Sequence, residues 1–252
     1  MTGWRLKLAA VRDRCRSRGL SGVARGLANA FRSLIWQKKN DEWLAHKERV
    51  DRFFDSKFNI DTRGITQLSG LEITGTHRPD GIAHIASDPD EFSRALASVH
   101  IEHKDFVFVD LGSGKGRALL LALSFPFRRI VGVEFALEFH LIAQTNLLRF
   151  AAATNINVGR VTLIRDDATE FELPTEPLVI YLYNPFNDQV MKKVADRVLK
   201  SHIDHPRPIY IVYGNAFLEK LWTDSGFVVL ERGATFSLLA PPVPAAEADP
   251  EI

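Results

Sequence analysis

Between residues 105 and 240 the apolar positions alternate between short continuous runs and longer stretches of helical spacing. The runs "FVFVDL" (106–111), "RIVGVEF" (129–135), "RVTLIRDD" (160–167), "PLVIYLYNPF" (177–186) and "PIYIVYGN" (208–215) are rich in β-branched and aromatic residues, and read as five buried strands. Between them "GRALLLALSF" (116–125), "LEFHLIAQTNLLRFAAA" (137–153) and "DQVMKKVADRVLKSHI" (188–203) have helical spacing, and a short helix follows at "AFLEKLWTDSG" (216–226). Strands that alternate with helices predict parallel βαβ units and a doubly wound α/β sheet. The closing stretch "FVVLERGATFSLLA" is two apolar runs around "ERG" and predicts an antiparallel hairpin, making seven strands in all.

The residues before 105 are organised differently. Leu20, Val23, Ala24, Leu27, Phe31, Leu34 and Ile35 recur at helical spacing, with Arg25 and Arg32 off the apolar stripe. Residues 51–86 carry aromatics and separated glycines without a sustained period, and predict an ordered irregular segment with short strands. At "SDPDEFSRALASV" a helix is expected, with Asp88 as N-cap, Pro89 in its first turn and Glu91 in third position. The end, "PPVPAAEADPEI", has the composition of a disordered tail. The expected organisation is a basic helical extension (1–50), an irregular lid or acceptor-site segment (51–88), an α/β domain (89–240) and a tail (241–252).

Charge changes the picture at the N-terminus only. Residues 1–39 hold ten Arg or Lys against one acid, Asp13, although the whole chain of 252 residues has a net charge of +1. A basic amphipathic helix fits an anionic membrane surface or nucleic acid; it equally fits a helix packed on its own domain with a solvated basic face. The Arg-rich start also has the composition of an organelle transit peptide, and it lacks the apolar core of a secretory signal. A single cysteine, Cys15, excludes an internal disulfide and fits a reducing compartment, so a cytoplasmic location is expected. No apolar run reaches the ~18–20 residues of a membrane span.

The chemistry concentrates at "VDLGSGKGR" (109–117). Gly112, Gly114 and Gly116 follow a strand and open a helix, which supplies a sharp turn and room for a ligand at the carboxyl ends of parallel strands. A phosphate-binding P-loop would end in Gly-Lys-Ser/Thr, whereas Lys115 is followed by Gly116 and Arg117. A dinucleotide loop would place its third glycine at 117, which is Arg. The third reading is a loop for S-adenosylmethionine. Asp110, closing the strand, would repel a pyrophosphate and suit a ligand carrying an ammonium and a sulfonium. Glu134 closes the next strand, where an acid accepts from ribose hydroxyls in NAD and S-adenosylmethionine sites alike. Asp166 and Asp167 close the third, where an adenine edge would lie. Each acid taken alone is also explained as a helix cap or loop residue.

Together "VDLGSGKGR", "GVEFA", "RDDATEF" and "LYNPF" resemble the successive motifs of class I S-adenosylmethionine-dependent methyltransferases, over roughly residues 90–240. With "FDSKFNIDTRG" upstream, the chain is similar to a group of bacterial methyltransferase-domain proteins of unassigned substrate. The resemblance implies a Rossmann-like, seven-stranded, mostly parallel doubly wound sheet with a C-terminal antiparallel hairpin. It further implies that Asp110, Gly112, Ser113, Gly114 and Gly116 hold the methionine moiety, with backbone N–H groups approaching its carboxylate. Glu134 would take the ribose hydroxyls, Phe135 would pack on the adenine face, and Asp167 and the N–H of Ala168 would meet the adenine edge.

"YNPF" (183–186) resembles the Asn/Asp-Pro-Pro-Tyr/Phe motif of methyltransferases acting on amino nitrogens, lacking its second Pro. The resemblance implies that Asn184, with Tyr183, Pro185 and Phe186, directs an acceptor NH₂ at the methyl group, and that Asn184 also adjoins the cofactor. An Asn-Pro that merely ends a strand is the alternative. Tyr183, Tyr213 and Asn215 fall on the same rim. The histidines of "HIDH" (202–205), His77 and His84 lack the supporting ligands of a metal site. The expected activity is methyl transfer to an unknown acceptor; the rival readings are a non-catalytic cofactor-binding module working through the basic helix, and an NAD-type oxidoreductase.

Overall fold

A computed structural model of the chain describes residues 41–64, 85–183 and 185–242. The predicted helix at 20–35, the segment 65–84 with His77 and His84, Asn184 and the tail from 243 lie outside the described residues. The chain divides into two compact units, Met1–Arg49 and Val50–Ile252. Residues 41–49 of the first are helical.

The second unit opens with helical residues 50–58 (α1). It continues through α2 (Pro89–Ala97), β1 (Val107–Leu111), α3 (Arg117–Ala122), β2 (Arg129–Val133), α4 (Leu137–Thr154), β3 (Val161–Ile164) and β4 (Leu178–Tyr183). The chain then forms α5 (Asp188–Asp204), β5 (Ile209–Gly214), α6 (Glu219–Asp224), β6 (Val228–Arg232) and β7 (Phe236–Ala240). The strands form one seven-stranded sheet in the order β3-β2-β1-β4-β5-β7-β6. Pairings among β1 to β5 are parallel, and β7 runs antiparallel to both β5 and β6. This is the doubly wound sheet with a terminal hairpin that the sequence pattern predicts.

Strand alternation sorts the core into two layers. Val107, Val109 and Leu111 of β1 pack with Val190, Met191 and Val194 of α5 and with Trp222 of α6. On the opposite face Phe108 packs with Phe92 of α2, Leu119 of α3 and Phe150 of α4. Asp110, two residues after Phe108, therefore points to the face that carries α2, α3 and α4. Because β1 lies between β2 and β4, the carboxyl ends of β1 and β4 flank a topological switch point, where open α/β sheets bind ligands.

Three local results differ from the sequence expectation. Residues 51–58 are helical rather than irregular. Their inward face is mixed: Asp51, Phe54 and Asp55 are buried and Phe58 is half-buried, so a count of apolar positions misses the period. Asn59 in the left-handed region (φ 52) ends the helix, with Ile60 N–H donating to the Asp55 carbonyl at 3.0 Å. The α3 helix stops at Ala122 instead of 125, because Pro126 disfavours helical backbone at the residue before it. The hairpin turn lies at 233–235 and not at "ERG": Glu231 and Arg232 pair with β7, and Arg232 is held by Glu219 at 2.8 Å.

Asp88 caps α2 as predicted, its Oδ1 accepting from Asp90 N–H at 2.9 Å and Glu91 N–H at 3.1 Å. Asp88→Ala is expected to cost about 1 kcal/mol in chemical denaturation, while Asp88→Asn, which keeps the acceptor, costs a few tenths.

Candidate cofactor site

The glycine loop is bound to the strand beside it. Gly112, Gly114 and Gly116 have φ of 83°, 53° and 87°, a region open to glycine and costly for other residues. Gly112 and Ser113 N–H donate to the Val133 carbonyl at 2.9 and 3.0 Å, Gly114 N–H to Glu134 Oε2 at 2.8 Å, and Gly116 N–H to the Ser113 carbonyl at 2.9 Å. Four of the amides that a phosphate loop would aim at its ligand are thus engaged inside the protein. The expectation that loop N–H groups meet a ligand carboxylate finds the same four engaged.

Two buried acids face the space that remains. Asp110, Gly112, Ser113, Gly114, Glu134, Phe135, Tyr183, Pro185 and Phe186 line one cavity together with Arg117, Ile85, Ser87 and Tyr181. Asp110 and Glu134 are each 4% exposed. Glu134 spans the turn after β2, its second oxygen accepting from Ala136 N–H at 2.8 Å. Burial pushes its carboxyl up to about 7 despite the backbone N–H groups of Ala136, Gly114 and Phe135, which favour the ionised form. Asp110 is raised well above the carboxylate range by burial and by the neighbouring charge of Glu134.

The basic residues of the loop, of which Arg117 lines the same cavity, are paired with other acids. Lys115 Nζ lies 3.0 Å from Asp61 Oδ1 and 3.0 Å from the Arg63 carbonyl. Arg117, 2% exposed, pairs with Asp51 at 3.1 Å and Asp55 at 3.2 Å. In the sequence Arg117 counts only against a P-loop and a dinucleotide loop, and these partners are not foreseen. The one local trace is that Asp51 and Asp55 stand one helical turn apart, which does not point to Arg117.

The other predicted residues divide between the cavity and its surroundings. Gly112 is needed where it stands: a Cβ there would sit 2.6 Å from Pro185 Cβ, so the loops after β1 and β4 touch at the switch point. Gly112→Ala is expected to destabilise the fold by about 1–2 kcal/mol through its backbone alone, readable as a lowered denaturation midpoint. Gly116 packs against α4, its Cβ position 3.2 Å from Ala143 Cβ, and is not on the cavity wall. Asp167 organises its own turn, Oδ1 accepting from both Thr169 N–H and its hydroxyl at 2.8 Å, and Ala168 is buried in the core. Neither is among the described cavity residues. Asn184 lies outside the described residues.

Tyr183 lies over β5 because Gly214 leaves room, a Cβ there falling 2.6 Å from the ring. The side chain of Asn215 hydrogen-bonds it. Tyr181 donates to the Ser87 hydroxyl at 2.8 Å. Burial raises both phenols above their ordinary range, so they remain neutral hydrogen-bonding groups at physiological pH. Tyr213, buried behind them, is pushed up to about 12. Among the described residues no group of His, Cys, Asp and Glu is arranged to hold a metal ion, and no helix is long and apolar enough to cross a membrane.

No family model and no curated protein matches the chain. Among solved structures it is similar to a precorrin-6y C5,15-methyltransferase from Geobacter metallireducens, at 17% identity over 72% of this chain and 98% of that one, TM-score 0.47. It is similar to an S-adenosylmethionine-dependent O-methyltransferase from Thermotoga maritima, at 15% identity over 64% and 68%, TM-score 0.49. It is also similar to an RNA methyltransferase from Salinibacter ruber in complex with S-adenosylhomocysteine, at 17% identity over 65% and 97%, TM-score 0.44.

Proposed function

We propose that the chain binds S-adenosylmethionine at the carboxyl ends of β1, β2 and β4 and transfers its methyl group to an acceptor. One observation carries the reading: Asp110 and Glu134 are two buried carboxylates on one cavity, and the cation that shares its lining, Arg117, is already paired with Asp51 and Asp55. A ligand with an ammonium and a sulfonium favours the ionised form of both acids; a pyrophosphate opposes it. The engaged amides of the glycine loop argue against a phosphate ligand in the same direction. An NAD-type oxidoreductase is disfavoured on both counts.

The residues present fit this cofactor, which when bound supplies an electrophilic methyl on a positively charged sulfur. Asp110 would hold the ammonium end, and Glu134, whose oxygens keep lone-pair capacity beyond their backbone bonds, the ribose hydroxyls. Phe135 offers an aromatic face beside Glu134. Asp167 and Ala168, on the turn after β3, would meet the adenine edge. The protein's work is then orientation and exclusion of water, worth about 7–11 kcal/mol when geometry is good.

For the acceptor we favour an amino nitrogen held at Asn184, Pro185 and Phe186. Its support is the position of Tyr183, Pro185 and Phe186 on the cavity wall, and the absence of a His or Lys side chain among the described cavity residues. A nitrogen lone pair attacks without the strong base a hydroxyl would need. Incubation with methyl-labelled S-adenosylmethionine and cell extract is expected to label an acceptor. Asn184→Ala should keep cofactor binding and lower labelling about a hundredfold, the scale of a misplaced reacting group. Undiminished labelling by Asn184→Ala rules out the amino-nitrogen reading, and cofactor binding with no labelled product would favour a non-catalytic module.

A further inference from the structure

Arg117, 2% exposed, belongs to the cavity lining, and its side chain also ties the glycine loop to α1 and to residues 61–63. Besides Asp51 and Asp55 it donates through Nε to the Thr62 hydroxyl, and through a terminal nitrogen to the Ser87 carbonyl at 3.5 Å. Its guanidinium lies 4.4 Å from the centre of the Phe54 ring. Asp55 is shared: its carboxylate also accepts Thr62 N–H at 2.9 Å, the Thr62 hydroxyl at 2.6 Å and Arg63 N–H at 3.0 Å. Asn146 of α4 completes the tie by exchanging hydrogen bonds with the Asp61 backbone at 2.8 and 2.7 Å and donating to the Lys115 carbonyl at 3.0 Å.

The glycine loop is thus held from two sides. Residues 112–114 are fixed to β2 through the Val133 carbonyl and Glu134. Lys115 and Arg117 are fixed to α1 and to residues 61–63. Gly116 stands between the two basic residues at φ 87, so the loop has little stiffness of its own to set its shape. Well-packed apolar residues would hold two elements together at least as firmly as a buried ion cluster. What directional hydrogen bonds add is a fixed register. Through Ser87 the same cluster reaches the cavity wall that carries Tyr181.

We propose that Arg117 is a positioning residue which couples the docking of residues 50–63 to the cofactor cavity, so that each stabilises the other. The proposal rests on the cofactor reading above. Coupling of this kind is reciprocal: if the docked segment raises cofactor affinity, the cofactor must tighten the docked segment.

The test uses S-adenosylhomocysteine, calorimetry and amide hydrogen exchange on the full chain. In the wild-type chain the ligand is expected to slow exchange in residues 50–63. The triple variant Arg117→Met, Asp51→Asn, Asp55→Asn removes the guanidinium and the two carboxylates that face it together. It is expected to melt cooperatively, to bind about tenfold more weakly or worse, and to lose the exchange effect. A merely structural role predicts a shifted melting temperature with affinity unchanged, so binding within about twofold of wild type overturns the proposal. Unaltered exchange at 50–63 in the wild-type chain overturns it too. Should the triple variant not fold, Asp61→Ala releases Lys115 from a half-exposed pair and is expected to weaken binding about threefold; unchanged affinity there also counts against the coupling. A wild-type chain that binds no ligand removes the cofactor reading itself, whereas retained binding in the variants removes only this proposal.

Discussion

Arg117→Met alone is expected to lower stability by about 3–5 kcal/mol, the cost of leaving a buried charge cluster without its counter-ion. Asp51 and Asp55 are buried on α1 and would lose the guanidinium that faces them at 3.1 and 3.2 Å. For a unit of this size the loss corresponds to a fall in melting temperature on the order of 10 °C. Adding Asp51→Asn and Asp55→Asn should recover much of it, because neutral amides need no counter-ion. Thermal and denaturant unfolding of the single and triple variants check this; a single variant within about 1 kcal/mol of wild type would mean the cluster behaves like a surface ion pair.

Glu134 should make the ligand-free protein less stable as pH rises from about 4.5 to about 7. Its carboxyl is pushed up to about 7 in the folded chain from an ordinary 4.5, so in that window the folded state keeps a proton that the unfolded state has released. Stability therefore declines as pH rises through the window, and Asp110, raised by the same burial, acts in the same direction. The full effect of Glu134 is about 3 kcal/mol at 1.36 kcal/mol per pK unit. Glu134→Gln should flatten this part of the curve, while losing some stability at every pH because its NH₂ faces a backbone N–H at Gly114 or Ala136. Parallel curves for the two proteins between pH 5 and 8 would show that Glu134 does not retain the proton. A cationic ligand favours the ionised acids, so protection by S-adenosylmethionine is expected to grow over the same range.

Most of the sheet was legible in the sequence because buried parallel strands and amphipathic helices leave opposite apolar periods. "FVFVDL" and "RIVGVEF" could hardly be anything but interior strands, and the order of motifs put Asp110 and Glu134 at neighbouring strand ends. The failures share a cause. α1 buries Asp51 and Asp55 beside Phe54, and a hydrophobic period cannot register a helix whose inward face is half acidic. Its partner, Arg117, lies 62 positions from Asp55, and no local pattern announces a pairing over that distance. Asp167 shows the opposite limit: an acid at a strand end has the same sequence signature whether it meets a ligand or closes its own turn, as it does with Thr169.

The central claim is that the cavity at the ends of β1, β2 and β4 takes S-adenosylmethionine. Calorimetric titration of the full chain with S-adenosylhomocysteine tests it most directly, with Glu134→Ala and NADH as companions. One site per chain is expected, with a dissociation constant in the range common for enzyme substrates, ~1 μM–1 mM, lost in Glu134→Ala and absent for NADH. A flat titration with S-adenosylhomocysteine and S-adenosylmethionine, or saturable binding of NADH in their place, would contradict it.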